Sequence, residues 1–384
     1  MSWRTEMIYF DNASTTALSG PVLELVYDML KNKYANPSSL HSAGFEAERL
    51  VTSAREQTAR ALRVNAEDIY FTSGGTEANN TAVLGGARAA RRSGMHLITS
   101  VIEHPSVTDS FRELEEEGFE VTYLPVDKKG YVSAEALRAA VRSDTVLVSI
   151  MYVNNEVGTI QDIPALSAAA KGINPGIVFH TDCVQAFGKH PIPSGCADMI
   201  SVSGHKIHAP KGVGALYVKK GVRLKNLHFG GGQEKGIRPG TENTASIIGF
   251  GLAAELADRT MEANFKTVKK VKDTLLSSLS GLEGVYVNGD EEKASPYILN
   301  LSFEGIKGEV LLHALEREEI YVATGSACSS RLKKKKKIVD LLLDGRGENN
   351  VRFSFSADNT DDEACTAAEA IKRAVPLLRR FRPR

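Results

Sequence analysis

The chain has 384 residues, enough for two packed domains and too many for one undivided core. Its 47 Lys and Arg balance 47 Asp and Glu, so no net charge draws it toward nucleic acid or an anionic membrane, and small solutes or protein partners are the expected ligands. Four scattered cysteines without a CxxC pair argue against a disulfide framework, no apolar run approaches the roughly 18 residues of a membrane span, and Met1–Asp11 lacks the blocks of a signal peptide, so a cytoplasmic protein with reduced thiols is expected.

In chain order, helical periodicity predicts helices at Pro21–Tyr34, Ala43–Leu62 and Thr76–Arg92. β-Branched runs predict strands at His96–Ser100, Val121–Pro125 and Val146–Val153. A helix at Ile163–Lys171 follows, then strands at Ile177–Thr181, Met199–Val202 and Gly214–Val218. This alternation predicts a mostly parallel sheet covered by helices on both faces. After Gly230–Gly232, a long helical pattern from Asn243 to Leu279 is placed to bridge two domains. Strands at Ile298–Phe303 and Val351–Phe355, with helices at Gly308–Glu318 and Asp361–Arg379, read as a smaller α+β domain. The low-complexity feature is Lys333–Lys337, five consecutive lysines, read first as a solvated segment.

Three segments carry chemistry. From Ser201 to Gly214 a strand ends in small polar residues and delivers Lys206 among Ser203, His205 and a glycine-rich approach. Open α/β sheets bind ligands at such strand ends, and a partly deprotonated lysine there can form a Schiff base with an aldehyde cofactor. A surface lysine closing the strand explains the segment equally well, and no third ligand joins His205 and His208 to make a metal site. Phe71 to Asn80 runs from a strand through Gly74-Gly75 into a helix, a phosphate cradle or an ordinary capped turn. It matches neither of the common nucleotide-binding glycine loops. The apolar strand Phe179 to Gln185 ends in Asp182, whose carboxylate, if buried, requires a cationic or protonated partner such as a pyridinium nitrogen; a metal pair with His180 and a cap for the next helix are the weaker alternatives. Cys183 beside it reads as a packing residue.

Together these segments place a lysine, an aspartate and a phosphate cradle on successive strand ends, and here the chain resembles the class V aminotransferase family, specifically its cysteine desulfurases. The resemblance extends from Tyr9-Phe-Asp-Asn-Ala-Ser-Thr-Thr16 through Glu103-His-Pro, Asn154-Asn-Glu-Val-Gly158 and the stretch Gly230–Glu242 to Ser326-Ala-Cys-Ser329. It implies a pyridoxal-phosphate-dependent enzyme of the aspartate-aminotransferase-like fold type I, with a large cofactor-binding α/β domain (15–260) and a small α+β domain (1–14 and 261–384). In that family the lysine matching Lys206 carries pyridoxal 5'-phosphate and moves protons, and the histidine matching His104 stacks on the ring. Residues matching Asp182 and Gln185 contact the ring nitrogen and hydroxyl. Those matching Gly75, Thr76, Ser203 and His205 hold the phosphate, and the one matching Thr241 reaches the phosphate site of a partner subunit. Asn155 and Arg352 match groups that bind the substrate carboxylate, a role to which a guanidinium is suited.

Cys328 decides among family members: its small, polar surroundings, Gly325 to Leu332, have the composition of a loop that presents a thiol. The resemblance implies that this cysteine takes sulfur from L-cysteine as a persulfide, leaves alanine, and passes the sulfur to a protein acceptor, in a homodimer. After Cys328 the sequence departs from the family pattern. Selenocysteine lyase and transamination are the neighbouring activities, and a partner-dependent sulfur-handling scaffold is the reading from another class.

Overall fold

The structure is a computed structural model and describes residues 7–324, 342 and 348–380. A short strand, β1 (Ile8–Tyr9), leads into helices α1 (Gly20–Asn32) and α2 (Ser42–Leu62). The main sheet is built from β2 (Ile69–Thr72), β3 (His96–Ser100), β4 (Glu120–Leu124), β5 (Thr145–Ser149), β6 (Val178–Asp182), β7 (Met199–Ser203) and β8 (Gly214–Val218). Their order is β2-β8-β7-β6-β5-β3-β4. β8 runs antiparallel to β2 and β7 while the other pairs are parallel, so β2 to β7 all end on the same edge. The alternation read from the sequence is this sheet.

Helices α3 (Gly75–Asn80), α4 (Gly86–Ala90), α5 (Pro105–Glu116), α6 (Ala134–Ala140) and α7 (Ile163–Lys171) cover it. Because both faces are covered, β3, β5, β7 and β8 are buried at every position instead of on alternate ones. Side chains of Ser133 and Asp162 cap α6 and α7 by accepting from Ala136 N and Ala165 N. Two expected elements differ. The helix expected over Thr76–Arg92 is interrupted by a π-helical turn at Thr81–Gly85, where Gly85 packs so closely under Lys225 that a Cβ would meet its carbonyl oxygen at 2.9 Å. The strand expected over Val146–Val153 stops at Ser149, after which the chain keeps two bonds to β6, Ile150 N to His180 O at 3.2 Å and Tyr152 N to Asp182 O at 2.9 Å, and turns to present Asn154–Gly158.

The long helix α8 (Thr244–Ser278) passes from one core to another. Its first half buries Ala245 to Ala254 with Phe71, Phe187 and Val202, and its second half buries Val268, Val271 and Leu275 with Leu301 and Phe353. The second core belongs to a smaller α+β unit with β9 (Val285–Asn288), β10 (Ile298–Phe303), helix α9 (Gly308–Glu316), β11 (Ile320–Tyr321), β12 (Asn350–Ser354) and helix α10 (Asp361–Arg380). Strands β12-β10-β9 form an antiparallel sheet, and β1 joins this unit by pairing parallel with β11. No helix among the described residues is long and apolar enough to cross a membrane.

Candidate active site

The common edge where β2 to β7 end gathers most of the residues singled out above. At the end of β2, Gly74 adopts φ +150° and the chain enters α3 at Gly75. A Cβ on Gly75 would lie 2.7 Å from Val184, and one on Gly214 would lie 2.6 Å from Val202 O and 2.8 Å from Gly74 Cα. The glycines thus let three strand ends close on one another. Ser203, at the end of β7, points its hydroxyl into this turn: Oγ is buried without a hydrogen-bond partner among the described residues. Thr76 is exposed at the start of α3.

Asp182 ends β6 and is 5% exposed. The sequence led to a cationic or protonated partner; the structure supplies neutral donors, Asn79 Nδ2 to Oδ2 at 2.8 Å and Val184 N to Oδ1 at 2.9 Å. These keep a buried carboxylate hydrogen-bonded yet still able to pair with a cation. Gln185, one turn on, donates to Ala13 O at 2.9 Å. Lys206 follows β7 and donates to the same Ala13 O at 2.5 Å and to Ser14 O at 2.7 Å, so the segment after β1 meets the sheet at this lysine. His205 contacts Thr15 Oγ1 at 3.2 Å. Burial, with Lys206 and Lys211 adding, pulls its pKa down to about 4, so it is neutral at pH 7.

His104 caps α5 before Pro105, its Nδ1 accepting from Ser106 N at 3.1 Å. The residue is exposed, but the protein around its ring lowers its pKa, first by desolvation and then through Lys206, against the pull of Asp182. Glu103, beside it, is wholly buried; Oε1 accepts from Ser100 Oγ and Met151 N while Oε2 has no partner among the described residues. Desolvation pushes its pKa up to about 8, so this carboxyl is mostly protonated at neutral pH.

From the smaller unit, Arg352 on β12 reaches the same region and is 6% exposed. It donates to Asn155 O at 3.0 Å and Ser14 Oγ at 2.8 Å, and pairs with Asp11 at 3.0 Å and Glu156 at 3.3 Å. Asn155 Nδ2 holds the same Glu156 carboxylate at 2.9 Å. Burial raises the Glu156 pKa and Arg352 opposes it. Sequence reasoning passed over Asp11, Asn79, Glu103, Glu156 and Lys189. All but Lys189 lie inside quoted motifs, but their pairing is set by the fold. Lys189 is buried, stands over Tyr297 at 5.5 Å, and has its pKa brought down to about 7 by desolvation and by Lys206. Lys189 and Lys206 also line a cleft of about 910 Å³ with Tyr9, Thr15, His208 and Asp358.

Thr241 is exposed before α8. Cys328 and Lys333–Lys337 lie outside the described residues. Cys183 is fully buried, with its thiol pushed up by desolvation, which makes it a packing residue.

The donor set fits the cofactor implied by the sequence. A carboxylate for a ring nitrogen, an amine for an aldehyde, and an unpartnered buried hydroxyl at a glycine turn for a phosphate stand on adjacent strand ends.

The chain matches the aminotransferase class V family over residues 8–365. It is 44% identical to the NifS/IcsS protein homolog of Lactobacillus delbrueckii subsp. bulgaricus, across 93% of this chain and 94% of that one. It is 41% identical to the cysteine desulfurase IscS of Neisseria meningitidis serogroup C, across 98% and 94%. A solved structure of a NifS-like protein superposes with a TM-score of 0.92 at 36% identity, covering 97% of this chain and all of the other.

Proposed function

We propose that this chain, which belongs to the class V aminotransferase family, is a cysteine desulfurase that moves the sulfur of L-cysteine onto Cys328 and releases alanine. The observation that carries the reading is the convergence of Lys206, Asp182 and His104 on one sheet edge, faced by Arg352 from the smaller unit.

Pyridoxal 5'-phosphate, when bound, supplies an electron sink for the substrate α-carbon. Asp182, held by Asn79 and Val184, provides the fixed negative charge for the ring nitrogen. Gln185 would contact its ring hydroxyl, and Gly75, Thr76, Ser203 and neutral His205 would hold its phosphate. Lys206 holds the cofactor and then shifts the α-proton, its amine steered by the carbonyls of Ala13 and Ser14. Asn155 and Arg352 orient the substrate carboxylate. The Cys328 thiolate attacks the substrate sulfur: the carbon–sulfur bond breaks, a sulfur–sulfur bond forms, and a proton completes alanine.

Thr241 serves the phosphate site of a second copy, which makes the working unit a homodimer, and its exposure in one chain is consistent with that role. The change of core along α8 supports domains at 15–260 and at 1–14 with 261–384. The persulfide is passed to a protein acceptor in the cytoplasm. To test the activity, L-cysteine and a thiol reductant are added to purified protein and alanine and sulfide are quantified together. Equal amounts are expected. A keto-acid product would replace desulfuration with transamination, and turnover of selenocysteine alone would make the protein a selenocysteine lyase.

A further inference from the structure

A chain of hydrogen bonds leads from Asp182 to the imidazole of His104. Asn79, 1% exposed, donates through Nδ2 to Asp182 Oδ2 at 2.8 Å and to Ser106 Oγ at 2.9 Å. The opposite amide orientation would set a carbonyl oxygen against the carboxylate, so both N–H groups are committed to these two oxygens. Asn79 Oδ1 is consequently buried without a partner among the described residues. A buried acceptor left unpaired is rare in a folded protein, and here the two donations account for it. Ser106 Oγ, accepting from Asn79, directs its own hydrogen to His104 Nδ1 at 2.8 Å, and the Ser106 backbone N–H reaches the same nitrogen at 3.1 Å. A ring nitrogen that receives two donors carries no hydrogen itself. In the neutral imidazole the hydrogen therefore sits on Nε2.

We propose that Asn79 and Ser106 are positioning residues that hold His104 as the Nε2–H tautomer, so that its accessible nitrogen is a hydrogen-bond donor, and that tie this ring to the Asp182 carboxylate. The lowered pKa of His104 agrees with a neutral ring. With Nε2 already protonated, the imidazole is a donor at that nitrogen, and it takes up a further proton only at Nδ1, where Ser106 stands. His104 then orients and stabilises negative charge, and the Cys328 thiol loses its proton to another group.

This proposal rests on the reading of His104 and Asp182 as groups that face the cofactor, but its principal readout does not depend on activity. Histidine ring nitrogens are labelled with ¹⁵N in the full chain, with and without pyridoxal 5'-phosphate, and His104 is assigned by the resonance lost in His104→Gln. A single Nε2–H tautomer is expected in the parent. Ser106→Ala and Asn79→Ala are expected to show mixed tautomers, with kcat for alanine formation lowered roughly fivefold or more and KM changed less than about twofold. Ser106→Thr keeps the hydroxyl and should restore both. If Asn79→Ala does not fold, the Ser106 pair, which differs by one donor, carries the test. A Nδ1–H or mixed tautomer in the parent would overturn the proposal, as would a single Nε2–H tautomer that survives in the variants, whatever their activity.

Discussion

Glu103→Gln should remove a pH dependence of stability that the parent carries. The Glu103 carboxyl is fully buried, and desolvation moves its pKa from 4.5 to about 8 although Ser100 and Met151 donate to Oε1. The folded chain keeps this proton at pH values where the unfolded chain has lost it. The contribution is therefore fully present below about pH 4.5 and is lost as pH rises toward about 8. Within that window the slope approaches about 1.4 kcal/mol per pH unit, so between about pH 5.5 and 7.5 the parent should lose about 2–3 kcal/mol through this residue. Glutamine keeps the oxygen that accepts from Ser100 and Met151 and does not titrate. Its amide replaces one partnerless polar group at Oε2 with another, so the two proteins should be of similar stability near pH 5.5. Urea unfolding of the cofactor-free parent and variant, followed by circular dichroism at both pH values, measures the difference. The variant should gain on the parent by about 2–3 kcal/mol over those two units. Parallel pH profiles for the two would show that Glu103 is ionised in the fold and would refute the reasoning.

Borohydride reduction followed by peptide mapping should place pyridoxyl on Lys206, lose it in Lys206→Ala and retain it in Lys211→Ala; label on Lys211 would reassign the cofactor lysine. A Thr241→Ala chain and a Lys206→Ala chain should complement when mixed, one intact site forming per dimer, and a catalytically competent monomer in sedimentation would end that idea. Cys328→Ser should bind cysteine yet form little alanine, since a hydroxyl is a far poorer nucleophile than a thiolate, while serine at Cys183, Cys196 or Cys365 matters much less; persulfide trapped on one of those three would overturn the assignment. Gly214→Ala drives a Cβ to 2.6 Å from Val202 O and should cost about 1–3 kcal/mol in unfolding assays while weakening cofactor retention; unchanged affinity would detach this contact from the phosphate turn.

Much of this architecture was legible because it is written in local pattern. Buried strands such as β5 and β7 are rich in apolar and β-branched residues, and each ends in a polar one, so Asp182 and Ser203 stand out in a linear reading. The two-residue strands β1 and β11 carry no such signal, because Ile8–Tyr9 is a strand only where Ile320–Tyr321 pairs with it. The helix α5 was missed for a related reason: its start is capped by a histidine, not by the residues that usually announce one.

Pairing is the part that local pattern does not encode. Asp182 was expected to face a cation, and among the described residues its side-chain donor is Asn79, 103 positions away in a helix read as a phosphate cradle or a capped turn. Arg352 shows the same limit with a chemical consequence. Its guanidinium was read as the receptor of a substrate carboxylate, and in the fold it already faces the carboxylates of Asp11 and Glu156. A third carboxylate arriving there meets one positive charge shared between two negative ones, and like charges that crowd a buried site raise the pKa of the least solvated member. Glu156 is that member: burial and Asp11 raise its pKa, and Arg352, with a smaller pull from Lys206, opposes them. Substrate carboxylate that draws on Arg352 weakens this opposition, so binding at Arg352 and proton uptake by Glu156 are coupled by the geometry, and a reading of Arg352 by itself contains only half of the site.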